Sequence, residues 1–174
     1  MILRSLKKLY NSHSIKNPHY IMQLKNKGNS KSIFSFLYRL KYYSVIKKCN
    51  SYIPIKTAFA NEPSFPHSIF GIFISSGAKI GENCVIFHQV TIGSNTLQDS
   101  KGYGSPEIGN NVYIGCGAKI IGNVRIGNNV RIGANCIVTT DVPDNCTIVM
   151  PKPLIIEHEE PLDNTFIPFS NGIN

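Results

Sequence analysis

The chain has 174 residues, 18 Lys or Arg against 10 Asp or Glu, and a formal net charge of +8, a length that suits one domain with an appended segment. Its five cysteines are odd in number and lack metal-type pairing, which argues against a disulfide framework and suits a reducing cytoplasm. Charge at Arg4, Lys7 and Lys8 interrupts any early apolar run, so no secretory signal is expected, and the longest early apolar stretch, 33–38, is far too short to span a bilayer.

The charge is unevenly placed. Residues 1–56 hold twelve Lys or Arg and no Asp or Glu, whereas the rest of the chain holds six basic and ten acidic residues. Such a basic block suits an anionic surface, either a membrane at its inner face or an anionic glycan, and equally suits a solvated helical face. Nucleic acid is not expected, because no recognised binding motif accompanies the charge. Within this N-terminal region, residues 1–31 read as helical only in pieces. From Ser32 the spacing of Ile33, Phe34, Leu37, Leu40 and Tyr43 predicts an amphipathic helix whose apolar stripe packs on the rest of the chain or on a neighbouring subunit, with a membrane as the alternative.

Pro54, Pro63 and Pro66 break helical structure and lead into the dominant pattern of the chain. An aliphatic residue returns at every sixth position: Ile74, Ile80, Ile86 and Ile92, then Ile108, Ile114, Ile120, Ile126, Ile132 and Val138. A second register lies four residues on, at Ala78, Cys84, Val90, Val112, Ala118, Val124, Val130, Cys136 and Val142. Period six fits neither an amphipathic helix nor an alternating strand, and irregular sandwich strands would not keep one phase. A short strand per hexad, followed by a turn, instead places both registers inside a stacked coil. Gly109-Asn110-Asn111 and Gly127-Asn128-Asn129 fall where the backbone bends. Three hexads make a triangular coil, so about ten hexads predict about three coils. Residues 94–106 leave the phase and predict a polar excursion loop containing Lys101, Gly102 and Gly104. After Val142-Pro143 the repeat decays towards Met150, and an acidic tail with Glu157, Glu159, Glu160 and Asp163 reads as a loose cap. The division expected is a basic, partly helical region at 1–56, a solenoid at 57–153 and a tail at 154–174.

These segments, together with His67 to Gly71, Val90-Thr91-Ile92-Gly93, residues 114–122 and Ile132-Gly133-Ala134, resemble the hexapeptide-repeat acyltransferases, in particular the serine O-acetyltransferase branch and its polysaccharide O-acetyltransferase relatives. The resemblance covers about residues 50–155 and implies a mainly β fold, a left-handed parallel β-helix. It implies an O-acetyltransferase taking its acetyl group from acetyl-CoA, with no metal, acting as a homotrimer whose active sites lie between adjacent faces. The matching coenzyme positions are Gly93, Ser94, Cys116, Ala118 and Ala134, with Lys119 or Lys152 as phosphate partners.

Acetyl transfer to a hydroxyl needs a base active near neutral pH, which histidine supplies. His13 and His19 lie in the basic arm and His158 in the acidic tail, as surface residues would. His67 and His88 are therefore the candidate catalytic residues, His67 by its resemblance to the base of the serine branch and His88 as base or orienting partner. The carboxylate that the serine branch carries before its base is replaced by Pro66, and its second histidine by Ser105. Those departures make a sugar hydroxyl of a surface polysaccharide the expected acceptor, with serine as the alternative and a non-catalytic scaffold as a reading of a different class.

Overall fold

The structure, a computed structural model, describes residues 17–166. His13 and the basic residues Arg4, Lys7, Lys8 and Lys16 lie outside the described residues, as does the end of the tail. Two helices come first, α1 (Pro18–Gly28) and α2 (Ser35–Lys48). Asn17 caps α1 by accepting a hydrogen bond from the Tyr20 N–H, and Pro18 occupies the first turn, where a missing N–H costs nothing.

The helices pack on each other and close one end of the solenoid, through Ile21, Met22 and Leu24 of α1 and Tyr42, Val45 and Ile46 of α2. Two buried polar groups there find partners: Tyr42 donates its hydroxyl to the Ile53 carbonyl at 2.7 Å, and the Lys25 ammonium donates to the Thr57 carbonyl at 2.8 Å while lying 4.8 Å from the Phe59 ring centroid. Burial holds Lys25 below the ordinary lysine range and pushes Tyr42 far above the ordinary phenol range, with the Tyr43 charge adding to the latter.

The helical stripe read from the sequence is real but faces outward. Ile33, Phe34, Leu37, Leu40 and Tyr43 are exposed, and the side that packs carries Tyr38, Tyr42, Val45, Ile46 and Cys49. Both faces of α2 are apolar, so periodicity alone could not say which one the core takes. The helix also has a partner inside the region expected to be helical only in pieces, since α1 runs for 11 residues.

Twelve strands of two or three residues follow: β1 (Ala58–Phe59), β2 (Phe73–Ile74), β3 (Lys79–Ile80), β4 (Val85–Ile86), β5 (Thr91–Gly93), β6 (Glu107–Ile108), β7 (Tyr113–Ile114), β8 (Lys119–Ile121), β9 (Arg125–Ile126), β10 (Arg131–Ile132), β11 (Ile137–Val138) and β12 (Thr147–Ile148). They form three parallel four-stranded sheets, which are the faces of a triangular prism. Face A is β2-β5-β8-β11, face B is β1-β3-β6-β9 and face C is β4-β7-β10-β12. The fold is a left-handed parallel β-helix.

Isolated bridges from Tyr52 to Phe73, Ser64 to Val85 and Ile126 to Val142 extend the stack to five rungs, more than the roughly three coils counted from intact hexads. The first and last rungs lack the full aliphatic pattern, so they escape a count of intact repeats. Every aliphatic residue of the first register from Ile74 to Val138 is buried, as is every residue of the second from Ala78 to Val142. Cys84 and Cys136 are among the latter and are free thiols.

Glu107 pairs with Lys79 on one side and Arg125 on the other, separations of 28 and 18 residues, so the excursion 94–106 adds ten residues to an 18-residue coil. It is closed by an antiparallel bridge between Asn95 and Gly104.

The corner between faces B and C is held by asparagine. Asn83, Asn111, Asn129 and Asn145 all have φ between 55° and 59°, and side chains link Asn111 to Asn129 at 3.2 Å and Asn129 to Asn145 at 2.9 Å. A parallel column uses side-chain oxygens to cap backbone donors on the neighbouring rung, from Asn128 Oδ1 to the Asn110 N–H and from Asp144 Oδ1 to the Asn128 N–H. We expect Asn129→Ala to lose its two exposed ladder bonds and the left-handed tolerance, about 2 kcal/mol together, whereas Asn129→Gly loses the bonds and keeps the backbone, about 1 kcal/mol. Urea unfolding of both variants at one protein concentration measures the difference; equal losses would refute the backbone part.

Candidate active site

Register explains why two histidines 21 residues apart meet. Ser64 lies over Val85, Val85 over Tyr113, Tyr113 over Arg131 and Arg131 over Thr147. Three residues further along each rung, at the corner between faces C and A, the column reads His67, His88, Cys116, Ala134 and Met150. The next column at this corner is Ser68, Gln89, Gly117 and Asn135, with φ of 59°, 61°, 69° and 55°. Each left-handed residue turns the chain sharply and leaves the preceding side chain projecting from the corner.

His67 Nδ1 and His88 Nδ1 are 3.0 Å apart, and the two rings are 4.9 Å between centroids. Phe87 meets the His67 ring edge to face at 5.4 Å and in turn lies 5.1 Å from Tyr113. His67 is exposed and His88 half-buried. A hydrogen bond between two Nδ1 atoms needs one proton, so in the neutral pair one ring donates Nδ1–H and keeps a lone pair on Nε2, while the other accepts at Nδ1 and carries its proton on Nε2. One of the two is thereby fixed as a base with its free nitrogen pointing away from the pair.

The other site residues named from sequence divide by place. Cys116 and Ala134 continue the histidine column with small side chains. Lys119, on face A, reaches this corner and donates from Nζ to the Gln89 and Gly117 carbonyls, each at 2.8 Å. Lys152 is exposed two residues beyond Met150, where the column ends. Gly93 and Ser94 sit at a different corner, between faces A and B, where the excursion begins; the Ser94 hydroxyl lies 2.8 Å from that of Ser75 and 2.6 Å from that of Ser105. Ala118 does not line a groove: it is fully buried, its N–H donates to Gly115 and its carbonyl accepts from Thr91. The second-register spacing that makes it an inward residue was visible in the sequence.

His19 is not a bare surface residue, for it contacts Glu62 at 2.9 Å through Nδ1 and Gln23 at 2.8 Å through Nε2. Phe87 and Gln89 were missed in the sequence, although their positions flanking His88 and one rung from His67 are the signal that finds them. A surface depression lies elsewhere, on face B among Glu107, Arg125, Asp141 and Asp144. Glu107 is held below the usual carboxylate range by the hydrogen bond and charge of Lys79, and Asp144 below it by its hydrogen bonds from Asn128.

Residues 105–140 match the family of bacterial transferase hexapeptide repeats (six repeats). The repeat is that of the bacterial hexapeptide transferases. A serine acetyltransferase of Synechococcus elongatus is 41% identical over 106 residues, 59% of this chain and 43% of its own length. The fold is similar to that of serine acetyltransferase isoform 3 of Entamoeba histolytica in complex with cysteine, with a TM-score of 0.67 at 26% identity over 82% of this chain and 51% of the other. It is also similar to a serine acetyltransferase of Brucella abortus in complex with coenzyme A, with a TM-score of 0.57 at 27% identity over 80% and 53%. The chain thus spans about half the length of the relatives it matches.

The neutral histidine pair generates a prediction. Two-bond ¹H–¹⁵N correlation spectra in alkaline solution should show His67 and His88 as opposite tautomers, one protonated at Nδ1 and one at Nε2. Two Nε2–H tautomers would mean that the rings do not bond.

Proposed function

We propose that this chain is an acetyl-CoA-dependent O-acetyltransferase with His67 as its base and the hydroxyl of free serine as its acceptor. The observation that carries the chemistry is the Nδ1 pair of His67 and His88 at an open corner. His67 is the more accessible ring and is held by Phe87 as well as by His88, which suits it to receive a substrate proton at Nε2. In this reading His88 is the positioning residue. It accepts from His67 Nδ1–H, the place a carboxylate takes in other catalytic dyads, and so fixes the tautomer of the base.

The reaction balances simply. As the acceptor oxygen attacks the thioester carbonyl, its proton passes to His67 Nε2; the C–S bond then breaks, and the imidazolium returns that proton to the leaving thiolate. The small side chains of Cys116 and Ala134 along this corner suit an extended pantetheine arm, with Lys119, which reaches the corner, and the exposed Lys152 as partners for its phosphates. Similarity to a serine acetyltransferase crystallised with coenzyme A supports this cosubstrate.

Serine now stands before sugar as the acceptor, reversing the order expected from the sequence, because the relatives and the structural neighbours are serine acetyltransferases. A sugar hydroxyl of a surface polysaccharide is the second reading. It is favoured by Pro66 and Ser105, which stand where the serine branch has its carboxylate and second histidine, and by the engagement of Ser105 with Ser94.

We further infer a homotrimer. The outward row of face B alternates Lys79, Glu107, Arg125 and Asp141, suited to water, while faces A and C expose Tyr52, Phe73, Ile137, Tyr113 and Val149. The histidines lie at the corner between those apolar faces, and Gly93, Ser94 and the excursion lie at another corner. A neighbouring copy packed by a threefold axis would bring the two together.

His67→Ala should lower turnover by about 10²–10⁴-fold with coenzyme A affinity nearly unchanged, and His88→Ala should cost less. Steady-state kinetics with calorimetric coenzyme A binding tests this; no binding would favour a scaffold, and an unimpaired His67→Ala would move the base. Acetylation rates for serine against a panel of sugars decide the acceptor, a strong sugar preference reversing the order above. A sedimenting monomer that keeps full activity would refute shared sites.

A further inference from the structure

Two surfaces of this chain are apolar, exposed and opposite in charge. The outer side of α2 presents Phe36, Leu37, Leu40 and Tyr43, continued by Ile33 and Phe34, and none of them is covered. At 100° per residue, Lys47 lies on this stripe and Lys41 and Lys48 along its edge. Burial, and then the like charge of Lys48, holds Lys41 below the ordinary lysine range. At the opposite end of the solenoid, residues 151–166 run without helix or strand, exposing Leu154, Ile155 and Ile156 at 87%, 83% and 68% beside Glu157, Glu159 and Glu160.

We propose that the acidic, apolar tail of one copy docks on the outer stripe of α2 of a second copy. Three physical arguments favour this occupant. Pairing α2 with another α2 would set lysine against lysine, because residues 1–56 contain no acidic side chain to relieve it. An anionic membrane would cover α2 but leave the tail's own apolar residues in water. The tail satisfies both surfaces at once, matching leucine and isoleucine to phenylalanine and leucine, and glutamate to lysine.

Reach permits the contact. Five rungs at about 4.8 Å place the tail's origin about 19 Å from the first rung, next to the helices, while sixteen extended residues span up to about 50 Å. Within one chain the two surfaces do not meet, since each keeps its exposure. A head-to-tail contact between unlike surfaces closes into a ring under threefold symmetry, leaving no surface open.

The test uses the full chain in two versions, one with an affinity tag, co-expressed and treated with a zero-length carbodiimide that joins lysine to carboxylate as an amide. Mass spectrometry should find tagged-to-untagged links between Lys41, Lys47 or Lys48 and Glu157, Glu159 or Glu160. The double variant L37E/L40E, at exposed positions and checked for an unchanged circular dichroism spectrum and Tm, should reduce these links by at least about tenfold. Links absent, or found only within single chains, would overturn the proposal. So would pelleting of the protein on phosphatidylglycerol vesicles with the α2 stripe protected there, which would assign that face to lipid.

Discussion

Every other feature of this molecule depends on one constraint: each rung must lie in register over the next. No strand exceeds three residues, so none is stable alone, and a rung gains its hydrogen bonds and buries its aliphatic residues only when its neighbours cover it. Register therefore fixes the core and the surface together. The spacing that stacks Ile74 under Ile92 and Ile120 also stacks His67 over His88, and the corner that needs a left-handed residue at each rung is the corner from which the histidines project.

Much of this was legible in the residues, and the reasons for what was not are physical. The six-residue phase named the buried registers correctly because burial in a coil is dictated by side-chain size at fixed spacing, with little help from distant parts of the chain. The histidine pair was half legible: both rings were singled out, but their contact follows only from the backbone bridge between Ser64 and Val85, where no aliphatic signal marks the rung. The direction of α2 was not legible, since a helix apolar on two sides gives no periodic preference and its orientation is set by packing against α1 and Ile53. Ala118 was legible at the level of packing: its place in the inward register is plain from the spacing, and it is buried.

The distribution of charge separates the faces as clearly as the repeat builds them. On face B, Lys79, Glu107, Arg125 and Asp141 form a ladder in which each rung carries the sign opposite to the next, and the Asp141 carboxylate also accepts from the Arg125 N–H. Exposed pairs such as Lys79 with Glu107 add little stability, because water and salt screen them. Their consequence is placement. A surface of alternating, mutually satisfied charges gains nothing by being covered, whereas Phe73, Tyr113 and Ile137 on the other faces do. The depression on face B is therefore a poorer candidate for chemistry, because its carboxylates Glu107, Asp141 and Asp144 are already engaged by Lys79, the Arg125 N–H and Asn128.

Backbone strain gives an independent reason to regard the histidine corner as functional. At four rungs the chain passes through the left-handed region there, and Gly117 and Asn135 do so at small cost, since glycine has no Cβ and asparagine bonds to its own backbone. At the two histidine rungs the same place is held by Ser68 and Gln89, side chains for which this conformation costs on the order of 1 kcal/mol. Ser68 is also buried with a hydroxyl that finds no hydrogen-bond partner among the described residues. A corner selected only for stability would use asparagine or glycine at every rung, as the corner between faces B and C uses asparagine. The two departures fall together, immediately after His67 and His88. Their cost is borne by the rungs that stack on either side, and beside them two imidazoles stand 3.0 Å apart at an exposed corner.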